Sequence, residues 1–266
     1  MISIQNYARP QSLEEAYALN QNKRSRVLGG MLWLKMSSIT VPTAIDLGGL
    51  GLDTIEESGD AFSIGAMATL RQLELHPGLN RYAQGAVSRA VEDIVGVQFR
   101  NMATVGGSIF GRFGFSDVLT VFLALDAYVE LYKAGVVPLE DFARMEKDRD
   151  ILVRVIVKKR PGQFAYQAMR NSRTDFPVLT CAVSRMDGDC RAVIGARPGR
   201  AMVLRDEQEL LAGEIDPASA SKFAAFAEEH IPTGGNVRGS AAYRSHLVRV
   251  LTERALLELG GLNDGN

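Results

Sequence analysis

The chain has 266 residues, 46% apolar and 23% charged, with a formal net charge of −1. That length suits one large domain or two ordinary ones, and the composition is globular. A charge near zero gives no electrostatic footing for nucleic acid or a membrane surface, and two cysteines, Cys181 and Cys190, without a CxxC pair or a nearby histidine, argue against a metal or iron–sulfur centre built from this chain alone.

In chain order, ISIQNYARP (2–10) alternates and predicts an edge strand stopped by Pro10. Ser12 and Glu15 have capping-box spacing and open a helix to about Asn20. SRVLGG (25–30) is a short strand running into a glycine pair, MLWLKM (31–36) a short helix, and TAIDLGGL (43–50) another strand. DTIEESGDAFSIGAM (53–67) predicts two strands turning at Gly59–Asp60. Helical stretches follow at TLRQLEL (69–75) and NRYAQGAVSRAVEDI (80–94), then a glycine-rich loop. Ser116–Asp117 caps a helix over VLTVFLALDA, YVELY is a strand, and VPLEDF (137–142) a loop with a short turn. DILVRVIVKKRPG (150–162) and QFAYQAMR (163–170) are strands. FPVLTCAVSRMDGDCRAVIGARPGRAMVL (176–204) reads as an antiparallel meander turning at 187–189 and 198–199. Helices are predicted at EQELLAG (207–213), ASASKFAAFAEEH (218–230) and GSAAYRSHLVRVLTERALLELG (239–260). In the last, Leu247, Leu251 and Ala255, with Val250 and Leu257, make one apolar stripe. The change from mixed α/β to strands-then-helices places a boundary near residues 160–175.

The N-terminus lacks the basic-then-apolar order of a signal peptide, and the apolar run 118–132 is broken by Asp126. With so few cysteines, a cytoplasmic location is the expectation. There is no Walker loop, HExxH, GxSxG or strand-following GxGxxG, and His76, His230 and His246 stand alone as surface residues. Glycine is enriched, 26 residues in all, against a usual share of about 7%. Two pairs stand out: Gly29–Gly30 after a strand, and Gly106–Gly107 in FRNMATVGGSIFGRFGFSD (99–117). Without Cβ atoms, such pairs let backbone N–H groups converge on a phosphate. The spacing leaves open that both merely turn the chain, and that Ser116 and Asp117 merely cap a helix.

QFRNMATVGGSIFGRFGFSDVLTVFLALDAYVELY (98–132) resembles the signature of the FAD-binding medium subunits of molybdenum hydroxylases, of the xanthine dehydrogenase and carbon monoxide dehydrogenase type. VLGGMLWL, IDLGGLGLDTIEE, FSIGAMATLRQLELHP, VPLEDF, MRNSRTDFPVLTCAVS, ARPGRA and SAAYRSHLVRVLTERAL resemble its other landmarks, so the likeness spans nearly the whole chain. It implies an α+β fold. A two-lobed FAD-binding domain of the vanillyl-alcohol oxidase (PCMH) type would occupy residues 1–165, with lobes of about 1–55 and 56–165. A small C-terminal domain of antiparallel strands and helices would follow over 166–266.

The resemblance also implies FAD between the lobes, its pyrophosphate against both glycine loops. The residues carried over are Leu28, Gly29, Gly30, Met31, Leu32 and Trp33 in the first, and Thr104, Gly106, Gly107 and Ser108, then Ser116 and Asp117, in the second. No catalytic side chain and no metal ligand is implied. The implied partners are a small [2Fe-2S] iron–sulfur subunit, which would donate electrons, and a molybdopterin large subunit, with NAD+ or another compound as acceptor. Met31 and Leu32 stand where the family usually has polar Thr-Asp, and Ser108 where Asn is commoner. Trp33 reads as a core or lobe-interface residue or, more sharply, as a ring stacking near the cofactor, Arg112 as a phosphate contact or a solvated charge, and Gln167 replaces a basic residue. The polar losses motivate two alternatives: a flavin-poor scaffold subunit, or a stand-alone flavoprotein reductase.

Overall fold

A computed structural model describes residues 1–262. The chain begins with β1 (Ser3–Ala8), α1 (Leu13–Asn20), β2 (Arg26–Leu28), a 3-10 turn (Leu34–Met36) and β3 (Thr40–Asp46). The strands form a parallel sheet in the order β1-β3-β2. α1 starts where its sequence predicts: the Ser12 hydroxyl accepts from the Glu15 N–H, while the Glu15 carboxylate accepts from Gln11 instead of closing the box on Ser12.

The second sheet is antiparallel, in the order β4-β5-β8-β6-β7: Ile55–Glu57, Ala61–Gly65, Leu152–Lys158, Ala127–Leu131 and Gly135–Pro138. Seven helices accompany it: α2 (Leu70–Leu75), α3 (Pro77–Tyr82), α4 (Ala86–Glu92), α5 (Val97–Arg100), α6 (Val105–Phe110), α7 (Asp117–Ala124) and α8 (Leu139–Arg144). α7 is buried along its whole length, which is why it reads as an unbroken apolar run.

The third sheet is a meander, β9 (Gly162–Arg170), β10 (Pro177–Met186), β11 (Asp189–Gly195) and β12 (Met202–Arg205), followed by α9 (Pro217–His230) and α10 (Ala241–Leu259). α10 packs on β9 and β10, while α7 packs on β10 and β11. β10 is therefore a central strand buried almost throughout. One core cluster runs from Phe62 and Phe122 of the second lobe into Phe164, Tyr166 and Val193 of the meander. Ion pairs reinforce this seam, Arg160 with Asp126 and Arg205 with Glu140 among them.

Four sequence expectations change. The helix expected over 207–213 is a pair of turns, because the Asp206 carboxylate takes the N–H groups of Leu210 and Leu211. VPLEDF is not a loop: it ends β7 and opens α8. The helical stretch 80–94 is broken at Gln84–Gly85, both with positive φ, 53° and 81°. The stripe on α10 is centred on Leu247, Val248, Leu251, Ala255 and Leu256, with Val250 and Leu257 only half-buried.

Candidate functional site

β2 delivers residues 29–33 against the segment before α6. A Cβ on Gly29 would sit 2.7 Å from Thr104 Oγ1, and one on Gly30 only 1.8 Å from the Met102 carbonyl oxygen. Gly30 is needed because two backbones touch, and Gly29 because the Thr104 side chain packs against it. Met31 then turns through a left-handed φ of 59°. The N–H groups of Met31, Leu32 and Trp33 have no intramolecular acceptor among the described residues.

Gly106–Gly107 behaves differently. These residues lie in α6, capped by Thr104, rather than in a loop. The Val105 and Gly106 N–H groups donate to Ala68 and Ala66 carbonyls, both at 2.8 Å. Gly107 donates to Thr104 Oγ1 at 3.1 Å, and Ser108 to the Thr104 carbonyl at 3.1 Å. The phosphate nest expected of this pair is therefore not formed; its donors are already used. Gly106 is small because a Cβ would stand 2.7 Å from the Ala66 carbonyl. Ser108 donates its hydroxyl to Thr104 O (3.0 Å), and Ser116 donates to Ser108 O (2.9 Å) while capping α7 through Leu119 N–H.

Two cavities meet at this junction. The first, about 340 Å³, is lined by Gly30–Leu34, Phe99, Ser108, Phe113, Phe115, Ser116, Asp117, Arg170 and Phe176. The second, about 460 Å³, is rich in cations: Lys23, Arg26, Lys147 and Arg149 line it, with Leu28, Gly106, Asp148 and Asp150. Val27, Gly29, Thr104 and Gly107 belong to both walls. All twelve residues picked out in the sequence thus lie on one cavity or the other.

Trp33 is 51% exposed, so it is no core residue. It stacks on Phe176 at 5.4 Å and meets the edge of Phe99 at 6.2 Å, joining the first lobe, the second lobe and the meander. Arg112 is neither a phosphate contact nor solvated. It is buried, donates from Nε to the Phe142 carbonyl at 2.8 Å, and lies 3.8 Å from the centre of the Phe142 ring. Gln167 donates to Glu258 at 2.9 Å.

Asp117 carries the buried charge of the aromatic cavity. Its Oδ1 accepts from the Tyr166 hydroxyl at 2.5 Å and from Arg170 Nη2 at 2.5 Å. Burial pushes its carboxyl above the usual range, and Arg170 and Tyr166 pull against that push. Burial, with the Asp117 charge beside it, raises the Tyr166 phenol well above its ordinary value. Sequence reasoning missed Tyr166, Arg170 and Phe176. The available signal was the i, i+4 spacing of Tyr166 and Arg170, which puts both on one face of β9.

The family profile for the FAD-binding domain in molybdopterin dehydrogenase matches residues 2–159. The chain belongs to this family. The CO dehydrogenase flavoprotein C-terminal domain matches residues 164–259. YgfM of Escherichia coli K12 is 29% identical over 255 residues, covering 93% of each chain. The nicotine 6-hydroxylase medium subunit of Paenarthrobacter nicotinovorans is 27% identical over 276 residues, covering 96% of each. Quinoline 2-oxidoreductase of Pseudomonas putida 86 has the same fold, with a TM-score of 0.85 at 23% identity over 97% of each chain. The cofactor of this molybdopterin dehydrogenase family is FAD, and the residues present suit it: two cavities share a wall at Gly29, Thr104 and Gly107, and the open backbone N–H groups of Met31, Leu32 and Trp33 lie on the first. Among the described residues no helix is long and apolar enough to cross a membrane, and no three His, Cys, Asp or Glu side chains cluster to hold a metal.

Proposed function

We propose that this chain is the FAD-bearing electron-transfer subunit of a molybdopterin-dependent dehydrogenase or hydroxylase. It would receive electrons from a [2Fe-2S] subunit served by a molybdopterin large subunit, and pass them to NAD+ or another acceptor in the cytoplasm. The observation that carries the reading is the pair of cavities meeting at Gly29, Thr104 and Gly107. The N–H groups of Met31, Leu32 and Trp33 would hold the pyrophosphate. The aromatic wall of Trp33, Phe99, Phe115 and Phe176 suits the flavin ring, and the second cavity has room for the adenosine end. The cofactor supplies exchange between two-electron and one-electron steps; the chain's own residues bind it, orient it and keep water from it. Residues 1–165 would be the cofactor domain and 166–266 the smaller domain.

The relatives' names support a multi-subunit assembly: a medium subunit of nicotine 6-hydroxylase and, in Sulfolobus acidocaldarius, a medium chain of glyceraldehyde dehydrogenase, 25% identical. The scaffold alternative rests on the loss of polar side chains at positions 31 and 32. Backbone donors need no side chain, so that loss leaves the phosphate contact available. The test is an absorption spectrum of the purified chain after FAD loading and desalting, followed by iron and molybdenum analysis of complexes isolated with it. A retained visible flavin band and co-purifying metals are expected. A folded chain that keeps no flavin would overturn the reading in favour of the scaffold; retained flavin without partners would favour the stand-alone reductase.

A further inference from the structure

We propose that Arg170, assisted by Tyr166, is a positioning residue that keeps the Asp117 carboxylate ionised in the wall of the aromatic cavity, as an acceptor for the ring N–H of the bound flavin. This rests on the FAD reading above. The geometry is specific. Asp117 is 5% exposed, and the Arg170 side chain 7%. Asp117 opens α7, where the helix N-terminus favours an anion, whereas Tyr166 and Arg170 come from β9 of the C-terminal meander. Both donors end on Oδ1, leaving Oδ2 outside the pair. Arg170 is itself anchored, donating from Nη1 to the Asp175 carbonyl at 2.9 Å. Asp117 and Arg170 both line the cavity.

A carboxylate this deeply buried takes up a proton when it loses its cation, because a neutral acid is cheaper to desolvate than an anion. As a neutral acid it would be a poorer acceptor for a ring N–H. The groups facing it are Tyr166 and Arg170 on β9. Asp175 lies beyond Arg170 and is paired with Arg238. None of these can replace the Arg170 charge at Oδ1.

The experiment measures FAD affinity by flavin fluorescence between about pH 5.5 and about pH 8.5 for the wild type, Arg170→Met, Asp117→Asn and the double variant. The wild type should hold its Kd within about twofold across the range. Arg170→Met should bind more weakly as pH falls, by up to about tenfold per pH unit below the new carboxyl pKa. The double variant should lose that slope. A profile for Arg170→Met parallel to the wild type would overturn the proposal.

A readout without flavin separates failure here from failure of the cofactor reading. The infrared difference between apo Arg170→Met and its Asp117→Asn double should show a protonated carboxyl band at neutral pH. The difference between wild type and Asp117→Asn should show none. Absence of the band from the first difference, or its presence in the second, would count against the proposal whether or not FAD binds. If Arg170→Met does not fold, Tyr166→Phe carries the affinity test, the weakening setting in at a lower pH than the loss of Arg170 would give and disappearing in the double variant with Asp117→Asn.

Discussion

Gly30→Ala tests whether the first glycine pair exists for backbone contact. The added methyl carbon would stand 1.8 Å from the Met102 carbonyl oxygen, 2.5 Å from its carbon and 3.0 Å from the Ala103 nitrogen. Non-bonded heavy atoms want about 3.5 Å, so the two segments must separate by roughly 1.5 Å. All three obstructing atoms are backbone, so no rotamer change relieves them. Overpacking of this kind costs about 3 kcal/mol or more. For a chain of this size that is a fall in Tm of roughly 6–12 °C. Gly59→Ala, with nothing within 4 Å of its added carbon, is the control and should stay within about 0.5 kcal/mol. Calorimetry of both variants, with FAD titration, decides it. A Gly30→Ala protein that melts with the wild type and binds FAD as tightly would refute the contact argument.

Trp33 is the sole tryptophan and lines the aromatic cavity, so its emission should be quenched on adding FAD; Trp33→Phe should abolish that signal and still retain flavin on desalting. Burial pushes the Cys181 thiol up to about 12 and the Cys190 thiol up to about 11. Neither should react with a thiol reagent at neutral pH until denaturant unfolds the chain. Arg205 holds the Glu140 carboxyl below its usual range across the seam between the second lobe and the meander. A carboxyl lowered on folding stabilises fully above its unfolded pKa of about 4.3 and loses that contribution as pH falls through the folded value. Urea unfolding should therefore show Arg205→Gln weaker by at most about 1 kcal/mol at neutral pH, since the pair is part-exposed. The difference from wild type should vanish in acid.

Elements set by local rules were legible in the sequence. α1 follows from Ser12, and the β10–β11 hairpin from Asp187–Gly188, whose φ values of 48° and 92° suit a tight turn. What escaped depends on contacts far along the chain. Gly106–Gly107 reads as a loop because glycine is a poor helix former; burial against Ala66 and the Thr104 cap override that propensity. The stretch 207–213 reads as a helix until the Asp206 side chain competes for its N–H groups. Arg170 meets Asp117 across 53 residues of chain, a pairing that no local pattern encodes. Phe176 is named by nothing in its own segment, only by Trp33 stacking on it.

The partition at Gly29, Thr104 and Gly107 makes the site bivalent. A molecule that fills both cavities has its two ends tethered to each other, so once one end docks the other faces its cavity at a high effective concentration. On the proposed reading, riboflavin and ADP added together should bind far more weakly than FAD, although between them they offer nearly the same atoms to the same walls. A nick in the cofactor would be as damaging as a nick in the protein: each half would keep its own contacts and leave on its own.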